Sequence, residues 1–194
     1  MNEDEIIAAR YYLAADRSRF FVQAFATGLF AGFGHNPMIA IRDFEGEAQF
    51  EPDTLADASL RLIAHADSLF VVDQMKEKDR QEIEDTMHQQ LLETARYPEI
   101  VYLSQNVATQ QTGQGRYRVS LAGELTLHGV TRPLSILGRA ILVNHELRAQ
   151  GEFTLRQSDY LIKPISVAMG ALKLKDELRL TFDILALREA DHNA

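Results

Sequence analysis

The side chains best suited to acid–base or metal chemistry are six histidines: His35, His65, His88, His128, His145 and His192. No two stand at H-x-H or H-x-x-x-H spacing, the arrangements that put two imidazoles on one face of a strand or helix. No local metal site is therefore expected. There is no Cys, which removes disulfides, thiolate nucleophiles and Cys-ligated zinc. Ser, His and Asp all occur, but no G-x-S-x-G elbow presents a serine nucleophile. The carboxylates of Glu82 and Asp85 fall on the polar face of an amphipathic stretch and read as solvated. No catalytic residue, metal or cofactor is assigned. His128 alternates opposite to Leu125 and Leu127, so it is expected on the outside of a hairpin corner. His35 and Asn36 lie in a glycine-rich segment before Pro37. They read equally as polar contacts for a ligand head group at a barrel mouth and as turn residues. Asp159 and Tyr160 carry the same two readings.

The elements that would position these groups are mostly strands. The stretch Gly123-Glu124-Leu125-Thr126-Leu127-His128-Gly129-Val130-Thr131-Arg132-Pro133 reads as a strand, a corner and a second strand. Val119, Leu121, Leu125 and Leu127 alternate with polar residues, and the apolar face resumes at Leu134 and Ile136. Earlier in the chain, 6–13 reads as a helical lead-in or an extra strand, and 16–26 as the first long strand. Phe20 and Val22 lie on one face of it, Phe21, Gln23 and Phe25 on the other. Gly28 to Pro37 reads as a bent turn without the spacing of a phosphate loop. Residues 38–50 form the next strand, with Phe44, Gly46, Ala48 and Phe50 on one face, and 58–65 another, with Leu60 and Leu62 inward. Ile83, Met87 and Leu91 recur every four residues, which predicts one amphipathic helix over 79–94 with that stripe facing the core. It ends before Tyr97-Pro98. A strand over 99–107 carries Ile100, Tyr102 and Ser104 on one face. Residues 105–115, polar with two glycines, are expected to be a hairpin loop. Strands over 147–155 and 178–184 follow, with Phe153, Leu180 and Phe182 inward. Seven to nine short strands, one helix and no βαβ rhythm predict an antiparallel barrel.

G-x-L-T-L-H-G-V-T-R-P closely resembles the signature hairpin of YceI-like proteins, the polyisoprenoid-binding, lipocalin-like family. Three further segments resemble the same family. Tyr97-Pro98-Glu99-Ile100-Val101-Tyr102-Leu103-Ser104 is similar to its Y-P-x-I-x-F-x-S, and Arg156-Gln157-Ser158-Asp159-Tyr160 to its R-S-D-[FY], with Gln157 inserted. Asp176-Glu177 is similar to its closing D-E-V. The opening strand departs from the pattern, with Arg17 where the family has His. The resemblance covers about 16–186. It implies a single extended lipocalin-like β-barrel domain over 1–194, a homodimer, and a polyisoprenoid or isoprenoid quinone held in the barrel.

The residues allow the same reading. Phe20, Val22, Phe44, Phe50, Leu60, Leu62, Tyr102, Leu121, Leu125, Ile136, Phe153, Leu180 and Phe182 are the expected lining. Small inward residues (Gly46, Ala48, Gly123, Gly138) are expected to leave volume among them. An eight-stranded barrel is about the size at which the interior is either filled or holds one small ligand. Two other classes stay open: an enzyme acting on a bound lipid or quinone, and an interaction protein with a filled barrel and exposed outer residues such as Phe21 and Phe25. The net charge of −8 argues against nucleic acid and anionic membrane surfaces. The acidic start Met1-Asn2-Glu3-Asp4-Glu5 is unlike a secretory signal. Phe20 to Phe33 is too short for a membrane span, which needs about 20 residues. A cytoplasmic protein without membrane insertion is expected.

Overall fold

A computed structural model describes residues 8–27, 36–52, 55–167 and 172–189. The strands are β1 (Ala9–Leu13), β2 (Arg19–Gln23), β3 (Ala26–Thr27), β4 (Met38–Ile41), β5 (Phe44–Phe50), β6 (Ser59–His65) and β7 (Leu69–Val71). After the helix α1 (Glu77–Thr86) come β8 (Glu99–Gly113), β9 (Arg116–Leu127), β10 (Val130–Val143) and β11 (Glu146–Arg156). Two short strands, β12 (Ser166–Val167) and β13 (Leu172–Leu174), precede the long β14 (Glu177–Arg188).

Eight antiparallel strands close into a barrel in the order β1-β5-β6-β8-β9-β10-β11-β14, and β14 pairs back onto β1 to seal it. A side sheet of β2, β4 and β7 continues from β14 beyond three chain breaks. The expected strand over 16–26 is interrupted: Ala15–Arg17 forms a 3-10 turn between β1 and β2. The strand over 38–50 breaks likewise at Arg42-Asp43, and the one after Ser59 at the turn Ala66–Ser68. At each break the inward parity switches: Leu13 faces in before and Phe20 and Val22 after, Ile39 and Ile41 before and Phe44 and Ala48 after, Leu62 and Ala64 before and Leu69 after.

The polar run expected to be a loop is instead the second half of β8. It pairs with β9 out to Gly113↔Arg116. Its strand state comes from the backbone ladder with β9, and a mostly exposed strand needs no apolar side chains. A bulge between Ser104 and Asn106 interrupts the register. Ile100 and Tyr102 face the interior before it, and Val107 and Thr109 after it. One extra residue inverts the parity of everything downstream.

The helix is also displaced from expectation. It is α-helical over Glu77–Thr86 and continues as a π-helical turn over Met87–Leu91. Met87 is buried, but Ile83 is 36% exposed. The predicted stripe therefore faces the core only at its C-terminal end, where the wider turn rotates Met87 and Leu91 toward the interior.

Candidate functional site

A cavity of about 270 Å³ runs inside the barrel, with lining residues from both of its ends. That is close to the lower end of ligand pockets, about 300–1,000 Å³. All thirteen residues expected on the inner face border it, and Ala48 and Gly138 border it too. On β14 the alternate residues Leu178, Leu180, Phe182, Ile184 and Ala186 all face in, because its ladders with β11 and β1 hold one register along its length. Near the middle, the rings of Phe20, Phe153 and Phe182 lie 6.3–6.5 Å apart.

The glycines do something other than leave space. A Cβ on Gly123 would lie 2.2 Å from the Leu103 carbonyl and 2.8 Å from the Tyr102 hydroxyl. A Cβ on Gly46 would lie 2.9 Å from the Leu13 side chain. A Cβ on Gly151 would lie 2.7 Å from the Phe182 ring. These positions admit large neighbours, and the open volume is what those neighbours fail to fill.

The polar side chains on the wall are few: Ser59, Tyr102, Thr109, Arg139 and Gln157. The Tyr102 hydroxyl donates to the Leu134 carbonyl at 3.3 Å, and burial pushes its pKa up. Buried Gln157 donates through Nε2 to the Lys175 carbonyl at 3.0 Å. Among the described residues, no three metal-ligating side chains converge.

The expected mouth residues separate. His35 lies outside the described residues, as does the glycine-rich segment before it. Asn36 is engaged with the backbone and side chains of a neighbouring segment: its Oδ1 accepts from the Ala26 backbone at 2.8 Å, and its carbonyl accepts from Gln23 Nε2 at 2.7 Å. Tyr160 is buried, with its hydroxyl held protonated by burial first and the Asp159 charge second. Asp159 is exposed, and its carbonyl accepts from Arg132 Nε at 3.1 Å. None of these three borders the cavity.

His128 is not on the outside. Its side chain is 12% exposed. Its Nε2 lies 2.7 Å from Glu93 Oε2 and its Nδ1 3.2 Å from the Tyr160 carbonyl. The Tyr97 ring packs edge-on at 4.5 Å. His128 and Gly129 both take positive φ, 52° and 71°, which makes the tight turn between β9 and β10. A Cβ on Gly129 would lie 2.5 Å from the Tyr97 ring. Ser158 adds the last link, donating through N and Oγ to the Asp176 carboxylate at 2.8 and 2.6 Å. The segments around Tyr97, His128, Asp159 and Asp176 thus converge into one clasp at one end of the barrel. Alternation could not reveal it, since the contacts span 18 to 35 residues.

Helix α1 closes a lateral gap. Among the described residues no strand pairs with the outer edge of β7; instead Glu84 Oε1 accepts from the Val71 backbone at 2.9 Å and His88 Nε2 donates to the Leu69 carbonyl at 2.8 Å. Two residues of strand span about the same length as four of helix, so an i, i+4 pair matches the edge. Val72, Leu137, Ile141 and Val143 are exposed apolar residues on the outside, whereas Phe21 and Phe25 are half-buried. Among the described residues, no helix is long and apolar enough to cross a membrane.

Fold and motif together define a class of lipocalin-like barrels. The YceI-like domain model matches residues 11–186, and the chain belongs to that family. Solved structures share the fold. BcnA of Burkholderia cenocepacia superposes with a TM-score of 0.68 at 14% identity, covering 89% of this chain and 98% of BcnA. A polyisoprenoid binding domain from Saccharophagus degradans, implicated in plant cell wall breakdown, gives 0.65 at 13% identity, covering 92% and 98%. The YceI protein of Campylobacter jejuni gives 0.57 at 13% identity, covering 78% and 84%. No curated protein matches the sequence.

Proposed function

We propose that this chain binds a long apolar molecule, an isoprenoid lipid or isoprenoid quinone, and shields it from water inside the barrel. The observation that carries this reading is the cavity: it reaches both ends of the barrel, and aliphatic and aromatic side chains form nearly all of its wall. Burial of apolar surface is worth roughly 0.8 kcal/mol per methylene, so a five-carbon unit contributes about 4 kcal/mol before ordering costs. The likeness to a structure named as a polyisoprenoid binding domain supports the ligand class. Binding is favoured over catalysis because two buried polar side chains of the wall, Tyr102 and Gln157, are already committed to backbone carbonyls.

Native mass spectrometry of the purified protein, with organic extraction and mass analysis of what is released, tests this. An isoprenoid at about one per chain is the expected outcome. A protein that is empty and takes up neither prenyl alcohols nor prenyl quinones overturns the reading.

A further inference from the structure

The barrel wall has a seam. Pairing of β1 with β5 stops at Tyr12↔Glu47, and pairing of β2 with β4 resumes only at Phe21↔Ala40. Residues 13–20 and 41–46 face each other in no paired register. The β1–β2 side of the seam stays fixed to β14 by other means: Ala14 N donates to the Leu185 carbonyl at 2.9 Å, and Ser18 Oγ accepts from the Leu185 backbone at 2.9 Å. A side-chain hydroxyl thus replaces the ladder where the chain turns, leaving the opposite edge unzipped.

An external groove of about 370 Å³ lies over this seam. Its floor is apolar, with Phe21, Ala40, Phe70 and Val72, and two arginines, Arg19 and Arg42, border it. Phe20 and Ile41 line both this groove and the interior cavity, so the wall between them is one side chain thick. The Arg42 guanidinium lies 3.4 Å above the centre of the Phe70 ring. Stacking uses the face of a guanidinium and leaves its in-plane N–H groups for hydrogen bonds. Among the described residues neither arginine forms an ion pair; Arg19 stands opposite Asp183 in the β2–β14 ladder, and the oxygens of Asp183 hold Arg148 at 2.7 Å. Two neighbouring guanidiniums without an ion pair are conspicuous on a chain of net charge −8.

We propose that the seam is a lateral opening of the tunnel and an anion site. It holds the phosphoryl head group of an amphiphile against Arg19 and Arg42, while the apolar tail passes between Phe20 and Ile41 into the cavity. The proposal rests on the tunnel reading and adds the head-group class and its place. The chemistry follows from the residues. Guanidinium forks bind phosphoryl oxygens in pairs, and an apolar floor beside them suits the first carbons of the tail. A neutral head group would leave both arginines unused.

The test compares a prenyl alcohol with its phosphate monoester, matched in tail, for binding to the intact protein and to Arg42→Gln and Arg19→Gln/Arg42→Gln. The expected result is at least about ten-fold tighter binding of the phosphate by the wild type, a gap that narrows with added salt. The double variant is expected to close that gap while binding the alcohol as before, which also shows that it is folded. Equal wild-type affinity for alcohol and phosphate overturns the anion site but leaves the tunnel reading in place. Failure of both ligands to bind overturns the two readings together. Inorganic pyrophosphate that binds alone, with the same arginine dependence and affinity, overturns the amphiphile in favour of a free anion.

Discussion

The two halves of the barrel are built differently. On one side β8, β9, β10, β11 and β14 are 11 to 15 residues long and paired nearly without interruption. On the other, three chain segments break at the same level, giving strands of 3 to 7 residues and a seam. The long half satisfies its backbone by ladders; the broken half uses Ser18, Ser68, Glu84 and His88 side chains to finish the job. A continuous ladder makes a rigid wall, and side-chain substitutes make edges that can part locally. On the proposed reading, the difference separates containment from access.

Overfilling the long half should have the largest effect. Gly123→Val places side-chain atoms against the Leu103 carbonyl and Tyr102 hydroxyl, and should cost about 3 kcal/mol or more in urea unfolding. A loss under about 1 kcal/mol would mean that half is as yielding as the other. Phe182→Ala removes a ring packed against Gly151 and flanked by Phe20 and Phe153. The expected loss is about 3 kcal/mol, with a larger cavity that admits a bulkier tail. Because this ring already borders open volume, a cost near zero would show that it closes the tunnel without supporting the fold.

Smaller changes probe the broken half. Glu84→Ala leaves the Val71 N–H without its acceptor and should cost about 1–2 kcal/mol. Hydrogen exchange should quicken at β7 and α1 while β9 and β10 stay protected. Uniform acceleration across the barrel would erase the contrast between halves. The smallest effect is electrostatic. Ser158 holds Asp176, and Arg148 holds Asp183, below the ordinary carboxylate value. A lowered carboxylate pKa stabilises the fold above the unfolded value of 3.8, and that contribution is lost as the pH falls further. Both side chains are about a third exposed, so solvent screens each contribution. Asp176→Asn/Asp183→Asn should flatten the acid limb of stability below about pH 4, measured by denaturation at stepped pH. An unchanged limb would assign it to other carboxylates.

Much of this was legible along the chain. Two-residue alternation in Leu178, Leu180, Phe182 and Ile184, and in Val119, Leu121 and Leu125, set which side chains face the interior, because a strand has only two faces. Turn chemistry at Gly129 marked a hairpin corner, where His128 and Gly129 both take positive φ. What alternation could not carry was anything decided by a neighbour. Gln105 to Gly113 is a strand only because β9 offers it a ladder, and the bulge after Ser104 inverts its parity. His128 is drawn inward by Glu93 and Tyr160, acceptors 35 and 32 residues away. The coincidence of three chain breaks, and hence the seam with its two arginines, exists only once the strands stand side by side. Local pattern encodes which face a residue takes. Which polar partners it meets, and where the wall opens, depend on register between distant segments, and that is a property of the folded barrel.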